Sequence, residues 1–173
     1  MSQNSTLTAA PATATFITTA ALLDHWQGHR RLTRRLIEAF PEEAFFNFSV
    51  GGMRPFAELV REMLSMAAPG VRGVITGQWA PLDEMEHHNG SPAPATRADF
   101  LARWDEATLQ LNELWSQIPA QRFQENILFF GQWEGSVYWA FLYVIDNEIH
   151  HRGQAYVYFR ALGIEPPPFW DRN

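Results

Sequence analysis

Asn147 and His151 lie four residues apart, and each carries a group that can ligate a metal ion, an amide carbonyl and an imidazole. On a helix, side chains at this spacing project to one side, so both can reach one ion. His25 and His29 repeat the spacing, but nothing nearby in sequence completes a set, so they read as ordinary polar residues. Asp146 and His150 form a third such pair and suit an orienting role beside a ligand. Glu148 and Arg152 read as a helix-surface ion pair worth a few tenths of a kcal/mol. His87-His88, in an irregular stretch, reads as solvated. The Asn147–His151 pair is equally explained by a hydrogen-bonded polar network in a core, and that alternative stays open. Other chemistries lack their motifs: the chain contains no G-x-S-x-G elbow, no phosphate-binding G-x-x-x-x-G-K-[ST] loop, no G-x-G-x-x-G after a strand and no HEXXH.

The stretch that must position these residues runs from Ser136 to Leu162. It has no internal proline, and it stops at Gly163 and the Pro166-Pro167-Pro168 run, as one long helix should. At about 100° per residue, Ala140, Val144, Asn147, His151, Gln154 and Tyr158 share one stripe, apolar at both ends and polar in the middle. A helix this greasy belongs at the centre of its domain. An unpaired polar group there costs about 1–3 kcal/mol, so the middle of the stripe needs a metal, a ligand or a carboxylate beside it.

Other helices are expected around it. Thr18 or Thr19 caps a first helix from about Ala20 to Ala39, with Leu22, Trp26, Leu36, Ile37 and Phe40 inward and Arg30, Arg31, Arg34 and Arg35 on a solvated face. An aromatic connection, Phe45–Phe48, leads to a second helix from Pro55 to about Ala67, bounded by Pro69-Gly70, with Glu62 on its flank. Val71 to Pro94 reads as a long loop with a short helix at most. A third helix spans about Thr96 to Ile118, opened by a Thr96/Asp99 capping box and closed by Pro119. Phe123 to Trp133 reads as an extended segment before the last helix. Four substantial helices with long connecting loops predict an all-α, four-helix bundle over residues 18–173, preceded by a flexible arm at 1–17.

Bulk properties narrow the function. A chain of 173 residues suits one domain with a proper core, and 7 Trp with 13 Phe can fill that core or line a pocket. A formal charge of −6 argues against a nucleic-acid partner. The absence of cysteine removes disulfides, thiolate metal sites and a Cys nucleophile, and it fits a reducing cytoplasm. The first 20 residues lack the features of a secretory signal, and the apolar run Val137–Ile145 is too short for a membrane span of about 20 residues.

The block Asn147-Glu-Ile-His-His151-Arg152-Gly153-Gln154, followed by Tyr158-Phe-Arg160-Ala-Leu162-Gly163-Ile, Pro167-Pro168 and Asp171, resembles the C-terminal signature of the DinB-like superfamily of DinB- and YfiT-type four-helix metalloproteins. Trp26, the Arg54–Leu59 segment and Gly131 are compatible, so the resemblance covers most of the chain after residue 18. It implies a bacterial protein with a divalent metal held by three histidines, one on the second helix and two in an H-x-x-x-H-R-G-Q motif. Carried over, the positions here are Glu62, Asn147 and His151, so one of the three histidines is kept. Oxygen donors shift preference from zinc or nickel toward manganese, magnesium or calcium, or weaken binding. The resemblance further implies a thiol-dependent S-transferase or a metal-dependent hydrolase acting on a small molecule, with Phe45–Phe48 and the Val71–Pro94 loop lining its pocket. A binding or dimerisation module with a degenerate site is the alternative, and a homodimer suits the several apolar helix faces.

Overall fold

A computed structural model describes residues 16–173; the expected N-terminal arm therefore lies almost wholly outside the described residues. Five α-helices follow one another: α1 (Thr19–Ala39), α2 (Glu42–Asn47), α3 (Phe56–Thr76), α4 (Arg97–Trp115) and α5 (Val137–Ala161). A two-stranded antiparallel hairpin, β1 (Asn126–Phe129) and β2 (Trp133–Ser136), sits between α4 and α5. The four long helices α1, α3, α4 and α5 make the all-α bundle that the sequence predicts. The short α2 occupies the aromatic connection, where Phe45 plugs into the core against Phe40, Phe56 and Phe100.

Local chemistry sets most boundaries. Thr18 accepts from the Ala21 amide to cap α1, and Ser136 accepts from Trp139 to cap α5. Both halves of the Thr96/Asp99 capping box are formed at α4. The expected end of the second helix at Pro69 is wrong. α3 runs straight through it to Thr76. Proline removes one amide donor there, but its ring lies on the exposed side, and the turns beyond it bury Gly70, Val71, Gly73 and Val74. That burial outweighs the lost bond. The Trp79 indole fills the space a Cβ on Gly73 would need, and the helix ends only at Gly77, whose φ of 70° closes it in the left-handed conformation. The supposed loop from Val71 is thus helix for its first six residues, followed by a single short 3₁₀ turn at Leu82–Glu84.

The core is in two parts. One apolar cluster joins the start of α1, the end of α3, the end of α4 and the start of α5, around Trp26, Val71, Trp115 and Phe141. The other joins the opposite ends of the same helices with α2, around Phe40, Phe56, Trp104 and Phe159. Between them the bundle is crossed by a polar belt whose buried members include His29, Arg30, Thr33, Ser65, Glu148, His151 and Arg152. Helix α5 carries both polar halves of that belt on its middle turns.

Candidate metal centre

Glu62 of α3 meets Asn147 and His151 of α5. The i,i+4 spacing puts Asn147 and His151 on the face of α5 that packs on α3, with Asn147 Nδ2 3.2 Å from His151 Nε2. Glu62 Oε1 lies 2.9 Å from His151 Nε2 and 2.9 Å from Asn147 Nδ2. The three residues implied as ligands therefore form one cluster. Its other oxygen, Oε2, accepts from the Arg54 guanidinium. Burial disfavours the charged carboxylate, but the bonds from His151, Arg54 and Asn147 together hold it well below the usual carboxylate range. The Glu62 side chain is 16% exposed and that of His151 6%, so the cluster sits at the edge of the interior.

Two features of the cluster call for a further group. Asn147 Oδ1 is buried and has no hydrogen-bond partner. His151 also has a proton-counting problem. Its Nδ1 lies 3.4 Å from Gln154 Oε1, an acceptor, while Nε2 faces the Glu62 carboxylate, another acceptor. A neutral imidazole has one proton to share between them. With that proton on Nε2, donated to Glu62 Oε1, the bare Nδ1 is left facing Gln154 Oε1. The donors are one imidazole, one carboxylate and one amide carbonyl once its amide is turned, a set suited to an oxygen-preferring divalent ion. Among the described residues, no group of three or more His, Asp or Glu side chains converges to hold a metal. The third donor here has to be the amide.

The surroundings differ from expectation in several places. His87 is not simply solvated: its Nδ1 lies 2.5 Å from Ser65 Oγ, one turn along α3 from Glu62. Burial, and then the neighbouring His88, bring its pKa down to about 4, which Glu62 opposes. The segment holding His87 is tied to α3 by Arg61, which donates to the Glu86 and Ser91 carbonyls. Asp146 and His150 face solvent, and His150 contacts Gln154 rather than Asp146. Glu148 and Arg152 are not a surface pair. Glu148 is completely buried and binds Arg30 at 2.5 Å, while Arg152 reaches the His29 ring at 2.9 Å. Arg30, expected on a solvated face, is fully buried as well, held by Thr108 and stacked 4.0 Å from the Trp104 ring centroid. The sequence reading puts Arg30 on a solvated face and Glu148 with Arg152 on the helix surface, because no local signal distinguishes a charged residue paired across 118 positions of chain from one in water.

The expected pocket is divided. One hollow of about 510 Å³ is lined by Trp79, Leu82, Asp83, Phe130 and Gln132, and another of about 350 Å³ by Pro41, Glu43, Ala44, Asn47 and Phe48. Neither includes Glu62, Asn147 or His151, and Phe45 belongs to the core rather than to a pocket wall.

A family model decides the ancestry: that of the DinB family matches residues 1–172. The chain belongs to the DinB family. Two solved structures share its fold. A DinB-like protein from Bacillus cereus superposes with a TM-score of 0.71 at 16% identity, covering 89% of this chain and 99% of that one. A DinB-like protein from Bacillus subtilis gives 0.67 at 17% identity, covering 88% and 99%. No curated protein matches the chain. At these identities the neighbours speak for the fold, which agrees with the bundle described above. Among the described residues no helix is long and apolar enough to cross a membrane.

Proposed function

We propose that this DinB family protein binds one divalent cation through Glu62, Asn147 and His151 and uses it on a small-molecule substrate. The convergence of Glu62 Oε1, the Asn147 amide and His151 Nε2 within 2.9–3.2 Å of one another is the observation that carries this reading. Manganese or magnesium suits the two oxygen donors better than zinc or nickel. Such an ion supplies Lewis acidity and lowers the pKa of a bound nucleophile, which serves S-transfer from a thiol cofactor and hydrolysis alike. The chain's own residues have separate tasks. Arg54 keeps Glu62 ionised and competes with a cation for its carboxylate. Gln154 orients the His151 ring through Nδ1. His87, neutral at pH 7, offers an uncharged imidazole on the segment that covers this part of α3. A substrate reaches the cluster from its exposed edge rather than from either hollow. The lack of cysteine and the charge of −6 accord with a cytoplasmic protein that has no nucleic-acid partner.

A second reading is a non-catalytic binding module on the same bundle. It is favoured by the Arg54–Glu62 ion pair, because the guanidinium already neutralises the carboxylate that a cation would use. Elemental analysis of untagged protein separates the two. About one manganese or magnesium ion per chain, lost in Glu62→Ala and His151→Ala, supports the first reading. No metal in the wild type, and none taken up on titration, leaves the binding module.

A further inference from the structure

The larger of the two hollows, about 510 Å³, is of a size that holds a small molecule. Its aromatic residues are set there against local backbone preference. Phe130, in the turn of the hairpin, has a φ of 48°. A bulky side chain in that left-handed region is an outlier, and such strain persists only where the surroundings enforce it. Gly131 follows at a φ of 69°, and the turn leaves the Phe130 ring 5.2 Å from that of Trp79. Glycine or asparagine would make the same turn without strain, so the position is held by a ring at a cost. Trp79 is accommodated in a similar way. Its indole lies 2.2 Å from where a Cβ on Gly73 would stand, so it needs a glycine inside α3, where alanine would favour the helix. Phe130 is nearly buried and Trp79 and Leu82 are half-buried, which gives the hollow an apolar, aromatic base.

The rim is polar and carries one sign of charge. Asp83 is the single charged residue that lines the hollow, and Gln132 stands with it, both exposed. Among the described residues Asp83 enters no ion pair, whereas Glu86 and Glu125 are matched by Arg103 and Arg122. Arg122 also donates to the Val74 carbonyl, so it is engaged away from Asp83. We propose that this hollow binds a small organic ammonium ion bearing an aromatic or alkyl arm. The ammonium meets the Asp83 carboxylate and the Gln132 amide oxygen, and the Trp79 ring adds a cation–π attraction, strongest for tryptophan among aromatic residues. The arm covers Leu82 and Phe130. An anion of the same shape would face Asp83 with no cation in the lining to receive it, and a neutral one would cover the carboxylate without pairing it. The inference does not rest on the metal reading, because Glu62, Asn147 and His151 do not line this hollow.

Titration of the full chain followed by ¹H–¹⁵N NMR tests it with three probes of similar shape: 2-phenylethylammonium, 2-phenylethanol and phenylacetate. The ammonium ion is expected to saturate a site that shifts the Trp79 indole signal, identified by its absence from Trp79→Leu. It should bind about tenfold or more tighter than the alcohol, with phenylacetate weaker still. Asp83→Asn should weaken the ammonium ion by about tenfold and leave the alcohol within about twofold, since only the charged probe uses the carboxylate. Trp79→Leu should weaken both. Asp83 is exposed, so its variant keeps the test decisive even where Trp79→Leu fails to fold. No saturation by the ammonium ion up to about 10 mM, weaker than any built site requires, overturns the inference. So does equal binding of the three probes, ammonium binding that Asp83→Asn leaves unchanged, or a saturable shift that bypasses Trp79.

Discussion

Two neighbouring residues of α5, Asn147 and Glu148, point into opposite halves of the polar belt, and the two halves are built on different terms. On the α1/α4 side, Glu148 and Arg30 are completely excluded from water and bind each other at 2.5 Å. Arg30 is further held by Thr108 and by the face of Trp104. Burial pushes the Glu148 carboxyl up and Arg30 pulls against it. Glu148 Oε2 and the Trp26 indole nitrogen both lack a well-formed bond, yet Trp26 is near enough to favour the charged carboxylate. This half is closed, and its charges have no route to a ligand. On the α3 side, Glu62 is firmly ionised, its partner Arg54 is 42% exposed, and an amide oxygen waits without a partner. The lesson is that burial and satisfaction separate a structural polar cluster from a receptive one. The first half holds the helices in register, and the second has donors to spare.

Removing one partner from the closed half should give the largest effect. Glu148→Ala leaves Arg30 charged and unpaired in the interior and is expected to cost about 3–5 kcal/mol in chemical denaturation. Arg30→Met with Glu148→Leu should regain most of that loss, since a well-packed apolar pair replaces both charges. A double variant as unstable as the single one would show that the pair is not an isolated unit.

The next effect is on pH dependence, through His29 beside Arg152. Burial, and then the Arg152 charge, lower its pKa from 6.5 to about 3. The unfolded chain therefore takes up this proton first. Stability is fully present above pH 6.5 and falls as the pH drops toward 3, with a slope of up to about 1.4 kcal/mol per pH unit from this group. His87, lowered to about 4, adds to the slope over a shorter range. Glu62 acts only below its unfolded value of 4.5, where its depressed pKa makes acid destabilising too. Denaturation midpoints measured from pH 8 to pH 5 should decline, and His29→Gln should flatten the curve.

In the receptive half, Glu62→Ala should cost less, about 1–2 kcal/mol, because it strands His151 and Asn147 at a partly solvated edge rather than in the interior. The smallest effect expected is from Arg54→Gln. Removing a half-exposed cation beside Glu62 should tighten manganese binding by a few-fold, in keeping with the modest worth of exposed ion pairs. Calorimetric titration of this variant against wild type checks it, and weaker binding would mean that Arg54 positions the carboxylate more than it competes for it.

Much of this architecture was legible from residue pattern. Thr18, the Thr96/Asp99 box and Ser136 declare helix starts by their own chemistry, and the apolar run into Asp146 and His151 marks α5 as central. The cluster itself was legible only in part. Asn147 and His151 are four apart on one helix, so periodicity joins them, whereas Glu62 entered through likeness to the DinB-like pattern. Arg54, Arg30 and His87 were beyond reach because their partners lie on other elements and no local rule reports a cross-bundle contact. Pro69 misled for a physical reason: its cost is local, while the burial of Val71 and Val74 that repays it is tertiary.

The most direct test of the central claim is electron paramagnetic resonance of Mn²⁺ titrated into the protein, with His151 labelled by ¹⁵N-histidine. The account predicts that one equivalent of the free-ion signal is lost per chain, that the bound ion shows nitrogen hyperfine coupling from a single imidazole, and that both features vanish in His151→Ala. An undiminished free-ion spectrum, or binding that persists unchanged in His151→Ala, would contradict it.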